Sequence, residues 1–301
     1  MGPTRRNTTL HFFVITLAVF TIVLTWTDHF FFKHNKGFSI WHLYSRSKEY
    51  SIWDQEMDTK LPLATLKGIF AEPFTYLGRG HQSIVFESAD HEYVLKLCSI
   101  HSHLRAFGWL KHPLSRMTTK RKVIEARNIT KLTETKKSHA FAFSALESGS
   151  GIVLIHMNKS ENFPLNAVVR DPLGYTYTLP LKETFFLLQK KGTLIFPTLQ
   201  HFLHAGQISQ AKAAIENLLT FIHDRSLKGI KDDDPVLEKN YGFYGTTPFQ
   251  LDTGRLRPDE TLTNKGLAKK ETIAITEALE SWLTHISPEL LAHYRATLDR
   301  L

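Results

Sequence analysis

The pattern of hydrophobic and polar positions along this chain of 301 residues changes character three times. Residues 10–26 form an apolar run without Asp, Glu, Lys or Arg. Residues 74–98 hold short β-branched and aromatic runs around tight polar turns, which is typical of strands. Residues 209–228 repeat apolar side chains at spacings of three and four up to Gly229, which predicts a helix with one buried face. The pattern favours an α+β fold that follows an apolar segment.

Weaker signals fill in the rest of this fold. Residues 151–157 read as a strand, and residues 167–169 and 175–179 as a hairpin, because Pro172 and Gly174 suit a type I turn between them. These strands complete an antiparallel, five-stranded small lobe. Further helices are predicted over residues 118–132, 271–285 and 288–301.

The apolar run is 17 residues long, at the short end of the roughly 17–25 residues that span a bilayer. It exceeds the roughly 7–15 apolar residues of a signal-peptide core, and no small-residue cleavage site follows it. We therefore expect an uncleaved, single-pass transmembrane helix bound to membrane lipid; a cleaved signal peptide and a buried helix are the alternatives. The expected divisions are a tail and anchor over residues 1–27, a juxtamembrane linker over 28–70 and a folded domain over 71–301.

Charges beside the apolar run give a weak orientation. Arg5 and Arg6 precede the run, whereas Lys33, Lys36 and Arg46 follow it, which favours a cytoplasmic carboxyl side by one charge. The α-amino group cancels that margin. We expect the folded domain to be cytoplasmic.

The composition, 42% hydrophobic and 22% charged, is globular and excludes a disordered chain. Cys98 is the only cysteine, so an intrachain disulfide and a cysteine-based zinc site are excluded. The net charge is +8, and residues 101–140 carry it, with ten Lys or Arg, Lys136 among them, against Glu125 and Glu134. Such a block could bind anionic lipid or an acidic partner, with nucleic acid not expected, or it could be a solvated helix face.

Two stretches carry candidate chemistry. In the first, Gly78 and Gly80 connect two predicted strands, where a backbone without Cβ atoms lets N–H groups reach phosphate oxygens, and Lys96 lies on the third strand. In the second, Asp232, Asp233 and Asp234 precede Asn240 and Asp252, and the apolar residues 241–243 and 249–251 predict a short hairpin that brings Asn240 and Asp252 to adjacent ends. Carboxylate and amide oxygens are suitable Mg²⁺ ligands, and phosphoryl transfer also needs a carboxylate near the attacking hydroxyl. Taken alone, an Asp run is more often a solvated turn.

In this order the motifs resemble those of the protein-kinase-like superfamily, over residues 74–256. Residues 78–85 are similar to its glycine-rich loop, with Ser83 in place of the third glycine and Val85 at the final position. Residues 94–96 resemble the strand whose lysine, here Lys96, binds the ATP phosphates, and residues 187–192 resemble the hinge between two lobes.

The resemblance implies further roles. Asn240 and Asp252 correspond to the Mg²⁺ ligands, and Glu125, with Glu134 as its competitor, to the helix carboxylate that pairs with the lysine. It implies a two-lobed fold, with a small lobe over about residues 71–190 and a mainly helical large lobe over about 191–301.

The chain departs from the family pattern in two places. The family's catalytic Asp precedes its Asn by five positions, whereas position 235 here is Pro, so the choice among Asp232, Asp233 and Asp234 is open. Only 47 residues follow Gly254, without an A-P-E sequence, which predicts a shortened large lobe of the compact or atypical branch.

The resulting expectation is a membrane-anchored, ATP- and Mg²⁺-dependent phosphotransferase that acts on a hydroxyl of a protein, small molecule or glycolipid. The alternatives are a pseudokinase that serves as a nucleotide-binding or docking module, and a membrane-anchored protein without enzymatic activity.

Overall fold

The computed structural model describes residues 4–36, 38, 57–80, 83–98, 119–158, 160 and 163–301. Its helices are α1 (Thr4–His34), α2 (Leu63–Ile69), α3 (Thr119–Ala145), α4 (Ile195–His204), α5 (Ile208–Leu227), α6 (Leu237–Asn240), α7 (Lys265–Ile286) and α8 (Pro288–Arg300). Its strands are β1 (Met57–Thr59), β2 (Phe74–Arg79), β3 (Ser83–Glu87), β4 (Tyr93–Cys98), β5 (Ile152–His156), β6 (Asn166–Arg170), β7 (Thr176–Pro180), β8 (Phe186–Lys190), β9 (Thr193–Leu194), β10 (Ile230–Asp232), β11 (Tyr241–Tyr244), β12 (Thr247–Gln250) and β13 (Leu256–Pro258).

The first half of the fold is a sheet with the strand order β1-β5-β8-β4-β3-β2-β6-β7. The five strands from β5 to β2 pair antiparallel with their neighbours. The sheet has eight strands where five were expected. Strands β1 and β8 were not predicted; β1 forms one edge of the sheet, and the predicted β6–β7 hairpin forms the other, with β6 parallel to β2. Strand β8 takes up most of the stretch that resembles a hinge, so only residues after Lys190 connect the sheet to the helices.

One face of this sheet is covered by the first hydrophobic core. Its members come from β2 to β8, from helix α2 and from Phe38, which is 2% exposed beside Phe86 and Tyr177. Burying large aromatic and aliphatic side chains contributes roughly 1.5–3 kcal/mol each. The expected linker over residues 28–70 is therefore folded at Phe38 and from residue 57 onward.

Helix α1 includes the apolar run of residues 10–26, and apolar side chains such as Phe12, Ile22 and Trp26 are exposed on it. Within the described residues, however, no helix has the length and apolar character needed to cross a membrane. The transmembrane helix expected from the sequence is thus not found.

The second core lies among the helices that follow the sheet. The apolar positions of α5 that recur at spacings of three and four are all buried: Ala211, Ala214, Ile215, Leu218, Leu219 and Ile222. They pack against α4, α7 and α8. The predicted helices over residues 209–228, 271–285 and 288–301 are confirmed, and Ser287 Oγ caps α8 by accepting from Leu290 N.

Helix α3 joins the two halves. It continues to Ala145, beyond the predicted end at residue 132, because Ala142 and Phe143 pack against β5 and β8 and against Ile230 and Leu256 of β10 and β13. Lys136, counted above in the basic block, is buried on this helix, where its ammonium donates to the Met157 carbonyl at 3.0 Å. The first part of that block, residues 101–118, lies outside the described residues.

Candidate functional site

Strands β2 and β3, which flank the glycine-rich stretch, pair as the strand pattern predicts, while residues 81 and 82 between them lie outside the described residues. The pairing register shifts between Tyr76 and Gly78, and Gly80 N donates to Ser83 O at 2.8 Å on the far side of the turn. A Cβ atom added to Gly78 would meet no atom within 4 Å, so a neighbouring protein atom does not require glycine there. That open space would let a ligand approach the backbone.

Lys96 lies in the row of residues that crosses this sheet. Gly78 pairs with Val85, Val85 pairs with Lys96, and Lys96 pairs with Leu187. Directly paired residues place their side chains on the same face of a sheet. Leu187 belongs to the core under α3, so Lys96 faces away from the first core and toward α3.

The ammonium of Lys96 connects this face to the second motif. Its Nζ donates a hydrogen bond of 2.5 Å to the carbonyl of Leu251, the residue that precedes Asp252. The partner predicted for Lys96, Glu125, lies on α3, but its side chain is outside the described residues, so this pairing stays a prediction. Its competitor, Glu134, is exposed on the same helix.

Strands β11 and β12 bring Asn240 and Asp252 together. Tyr241 pairs with Gln250 and Tyr244 with Thr247, which gives the tight hairpin that the sequence predicts. At the open end of this hairpin, Leu251 N donates to Asn240 O at 2.7 Å and Asp252 N to the same oxygen at 3.3 Å. The two residues are therefore direct neighbours.

The side chains of Asn240 and Asp252 suit a shared Mg²⁺ ion. Asn240 Nδ2 donates to the Asp234 carbonyl at 2.5 Å, which leaves the amide oxygen directed elsewhere, and Gly254 N orients Asp252 Oδ1 at 2.9 Å. Among the described residues no group of three or more His, Cys, Asp or Glu could hold a metal. Mg²⁺ commonly takes one or two protein ligands and completes its shell with water and phosphate oxygens, so this pair fits it.

The three consecutive aspartates have three different surroundings. Asp232 is buried and accepts from Tyr241 Oη at 3.0 Å. Asp233 is exposed and pairs with Arg257 Nε at 2.9 Å. In the described part of the chain, the exposed carboxylate of Asp234 has no hydrogen bond or ion pair, although its backbone carbonyl holds Asn240.

Burial dominates the electrostatics of Asp232. It raises the pKa of this carboxyl, against the opposing effects of the Asp234 amide and the Arg225 guanidinium 3.8 Å away. Burial likewise raises the pKa of Tyr241. Both groups therefore lie in a protected interior next to the exposed Asp234.

Helix α3 supplies two residues that the sequence gave no reason to single out. His139 Nδ1 hydrogen-bonds Thr253 Oγ1 at 2.7 Å, and Ser138 Oγ accepts from Leu256 N at 2.6 Å. Burial lowers the pKa of His139 to about 4, with Asp252 opposing and Lys96 reinforcing the shift. His139 is thus neutral near pH 7 and lies within electrostatic reach of both charges. The predicted helix ended at residue 132, so no sequence signal placed either residue at the site.

The chain that leaves β8 passes close to this hairpin. A Cβ atom on Gly192 would lie 2.6 Å from Phe249 Cζ and 3.1 Å from Leu251 Cδ2, so the residue must be small. Gly192, at the end of the stretch that resembles a hinge, therefore lies against the β11–β12 hairpin. Adenine binding by its backbone stays a prediction.

No protein-family model matches this chain, and no curated protein matches it by sequence. Solved structures do match. The co-crystal structure of WbdD with the kinase inhibitor LY294002 is 15% identical at a TM-score of 0.33, over 74% of this chain and 45% of WbdD. The complex of Rv3197 with erythromycin, from Mycobacterium tuberculosis, is 14% identical at a TM-score of 0.31, over 67% of this chain and 53% of that one.

A third structure is the ROP18 kinase domain with AMP-PNP and sucrose, 12% identical at a TM-score of 0.37, over 79% of this chain and 82% of that one. The present chain spans about half the length of the WbdD and Rv3197 chains. One of these structures is a kinase domain and another is a complex with a kinase inhibitor, and at TM-scores of 0.31 to 0.37 they assign no role to this chain.

Proposed function

We propose that this chain is an ATP- and Mg²⁺-dependent phosphotransferase that acts on a hydroxyl acceptor. One observation carries the proposal: Lys96 donates to the carbonyl of Leu251, and Leu251 N donates to Asn240, so that Lys96, Asn240 and Asp252 converge. We base this on the chain's own geometry, because the structural neighbours have TM-scores of only 0.31 to 0.37.

The roles follow from what phosphoryl transfer requires, namely positioning and charge stabilisation. Lys96 would bind phosphate oxygens, and the connection from Gly78 to Ser83, with Val85 beneath it, would bring backbone N–H groups to them. Asn240 and Asp252 would hold Mg²⁺, which neutralises phosphate charge when bound.

Asp234 is the best candidate for the carboxylate that orients the acceptor hydroxyl. Asp232 is committed to buried partners, and Asp233 is paired with Arg257. The carboxylate of Asp234 is exposed, while its carbonyl is bonded to the side chain of Asn240. Asp234 would therefore lie beside the metal ligands with its carboxylate open to an acceptor. This choice adds one residue to the family's spacing between Asp and Asn.

The test is ATP turnover by the purified full chain with Mg²⁺, measured as ADP release over a panel of hydroxyl acceptors. We expect Asp234→Asn to bind Mg·ATP like the wild type but to lose on the order of 100-fold or more in turnover, the usual contribution of a positioned general base. Asp233→Asn should lose far less. Equal losses from both variants would contradict the assignment of Asp234.

The same assay separates the alternatives. Binding of Mg·ATP without turnover on any acceptor would favour a nucleotide-binding module, the role of a pseudokinase. A chain that binds no nucleotide at all would refute both proposals.

We further propose that α1 attaches the chain to lipid and that the domain is cytoplasmic. The exposed apolar side chains of α1, such as Phe12 and Trp26, support attachment, because large exposed apolar patches commonly mark interaction sites. Alkaline carbonate should leave the chain in the membrane pellet, and release would contradict attachment. A reporter fused after Leu301 that is active only outside the cytoplasm would contradict the orientation.

A further inference from the structure

A buried polar network lies directly behind the proposed site. Arg225, at the end of α5, has a side chain that is 0% exposed and donates from Nη1 to Tyr241 Oη at 2.5 Å and to Gln250 Oε1 at 3.0 Å. Tyr241 Oη and Gln250 Nε2 both donate to Asp232 Oδ2. Three side chains, from α5, β11 and β12, thus surround one carboxylate oxygen of Asp232, which lies on β10.

The other oxygen of the same carboxylate faces the proposed site. Asp232 Oδ1 accepts from the backbone N–H of Asp234 at 2.9 Å, and the carbonyl of Asp234 accepts from Asn240 Nδ2 at 2.5 Å. The main chain of Asp234 is therefore held on both sides. Its N–H is bonded to Asp232 of the buried network, and its carbonyl is bonded to Asn240, a proposed metal ligand.

Stability alone is a poor reason for this arrangement. A buried ion pair loses about as much in desolvation as it gains in attraction, and apolar residues of similar volume often stabilise as well or better. Within the described residues, two buried nitrogens of Arg225, Nε and Nη2, also have no hydrogen-bond partner, although Glu271 lies 3.9 Å from Nη2. Such a network is better suited to fixing one geometry than to adding stability.

We propose that Arg225 and Asp232 are positioning residues that hold the main chain of Asp234 in place for phosphoryl transfer. This inference rests on the function proposed above. Asp232 acts through its two oxygens, one on Asp234 and one on the network, and Arg225 fixes the orientation of the carboxylate. Neither side chain touches the acceptor.

The chemistry of the carboxylate defines the informative substitutions. In one orientation, the amide of Asp232→Asn keeps an oxygen for Asp234 N but puts its NH₂ group against the donors Tyr241 Oη and Gln250 Nε2. In the flipped orientation, the oxygen accepts from those donors and the NH₂ group faces Asp234 N. The double variant Arg225→Met with Asp232→Leu removes both charges and fills the space with apolar atoms. Neither charge is left unpaired, and the cost of the double variant is the lost acceptor of Tyr241 Oη and Gln250 Nε2.

The matched control is an exposed pair of the same chemistry, Arg295 Nε with Glu280 Oε1 at 2.8 Å, between α8 and α7. Arg295→Met with Glu280→Gln removes it without touching the site.

We would measure kcat, the KM for Mg·ATP and the hydrogen exchange of the amides of residues 233–240 in full-length variants. For the double variant we expect kcat to fall on the order of 100-fold, the loss that a misplacement of about 1 Å can cause. The KM should change far less than kcat, because Lys96 and Asp252 keep their contacts, and the Asp234 amide should exchange faster. The control pair should change none of these quantities.

A folded double variant with wild-type kcat and wild-type exchange at Asp234 would overturn the inference. If the double variant does not fold, Asp232→Asn replaces it in the test. A fall in kcat that exceeds the change in KM would support the inference, and an unchanged kcat would contradict it. If the wild type has no turnover, the proposed function fails, and amide exchange still decides whether the network holds Asp234.

Discussion

Lys96→Met tests the centre of the proposed site. Lys96 is half-buried and donates to the Leu251 carbonyl, and methionine keeps most of the apolar stem while it removes the ammonium. A hydrogen bond to a charged group contributes roughly 1.5–3 kcal/mol, so the ligand-free variant should be destabilised by no more than about that amount. No large cavity should form.

The larger effect should appear with ligand. At 100 times its Kd, Mg·ATP would stabilise the wild type by about 2.7 kcal/mol, since it binds only the folded state. For a domain of this size, that corresponds to a Tm increase of roughly 5–10 °C. Lys96→Met should lose this increase, because a thioether cannot replace an ammonium beside phosphate.

Thermal unfolding with and without Mg·ATP measures both effects, and Lys60→Met is the matched control. Lys60 Nζ also donates to a backbone carbonyl, that of Glu147 at 2.6 Å, but it lies over Phe143, away from Asp252. The control should keep the full Tm increase. If Lys96→Met keeps it too, Lys96 does not bind phosphate and the proposed site is wrong.

Four further substitutions test the metal site and the packing of the fold. Asp252→Asn should leave the ligand-free fold intact or slightly firmer, yet abolish the Tm increase with Mg·ATP; an undiminished increase would show that Asp252 is not a metal ligand. Gly242→Ala should cost about 1–3 kcal/mol in urea unfolding, because its Cβ would lie 2.8 Å from Thr193 O. Gly68→Ala, where a Cβ meets no atom within 4 Å, should instead stabilise helix α2 by up to about 1 kcal/mol, and equal effects would contradict this packing. Phe38→Ala should lower the free energy of unfolding by about 3–5 kcal/mol in the same assay, since the Phe38 side chain is 2% exposed. An unchanged free energy of unfolding would show that residue 38 belongs to an unpacked linker.

Local signals were sufficient for several elements. The spacing of apolar residues predicted α5 and its buried face, and Gly229, with φ +68, follows its end as expected. Alternation around a polar turn predicted the β6–β7 hairpin, and the apolar stretches beside Asn240 and Asp252 predicted the β11–β12 hairpin. These elements are determined locally because their partners are close in sequence or lie on one helix face.

The arrangement of the sheet was beyond local signals. The parallel pairing of β6 with β2 and the addition of the three-residue strand β1 join distant segments. Pairing of this kind depends on which edges are available after the other strands have packed. No periodicity within a short window records that choice.

The site shows the same division. The sequence alone named Lys96, Asn240 and Asp252, because their residue types and order suit phosphate and metal binding. It could not separate Asp232, Asp233 and Asp234, which are chemically identical neighbours. Only the tertiary structure distinguishes them, since Arg225 and Tyr241 reach Asp232, Arg257 reaches Asp233, and Asp234 is left exposed. Only the tertiary structure identifies His139, for the same reason. A polar side chain becomes part of a site through the partner that folding brings to it, and the partner of His139, Thr253, is 114 positions away in sequence.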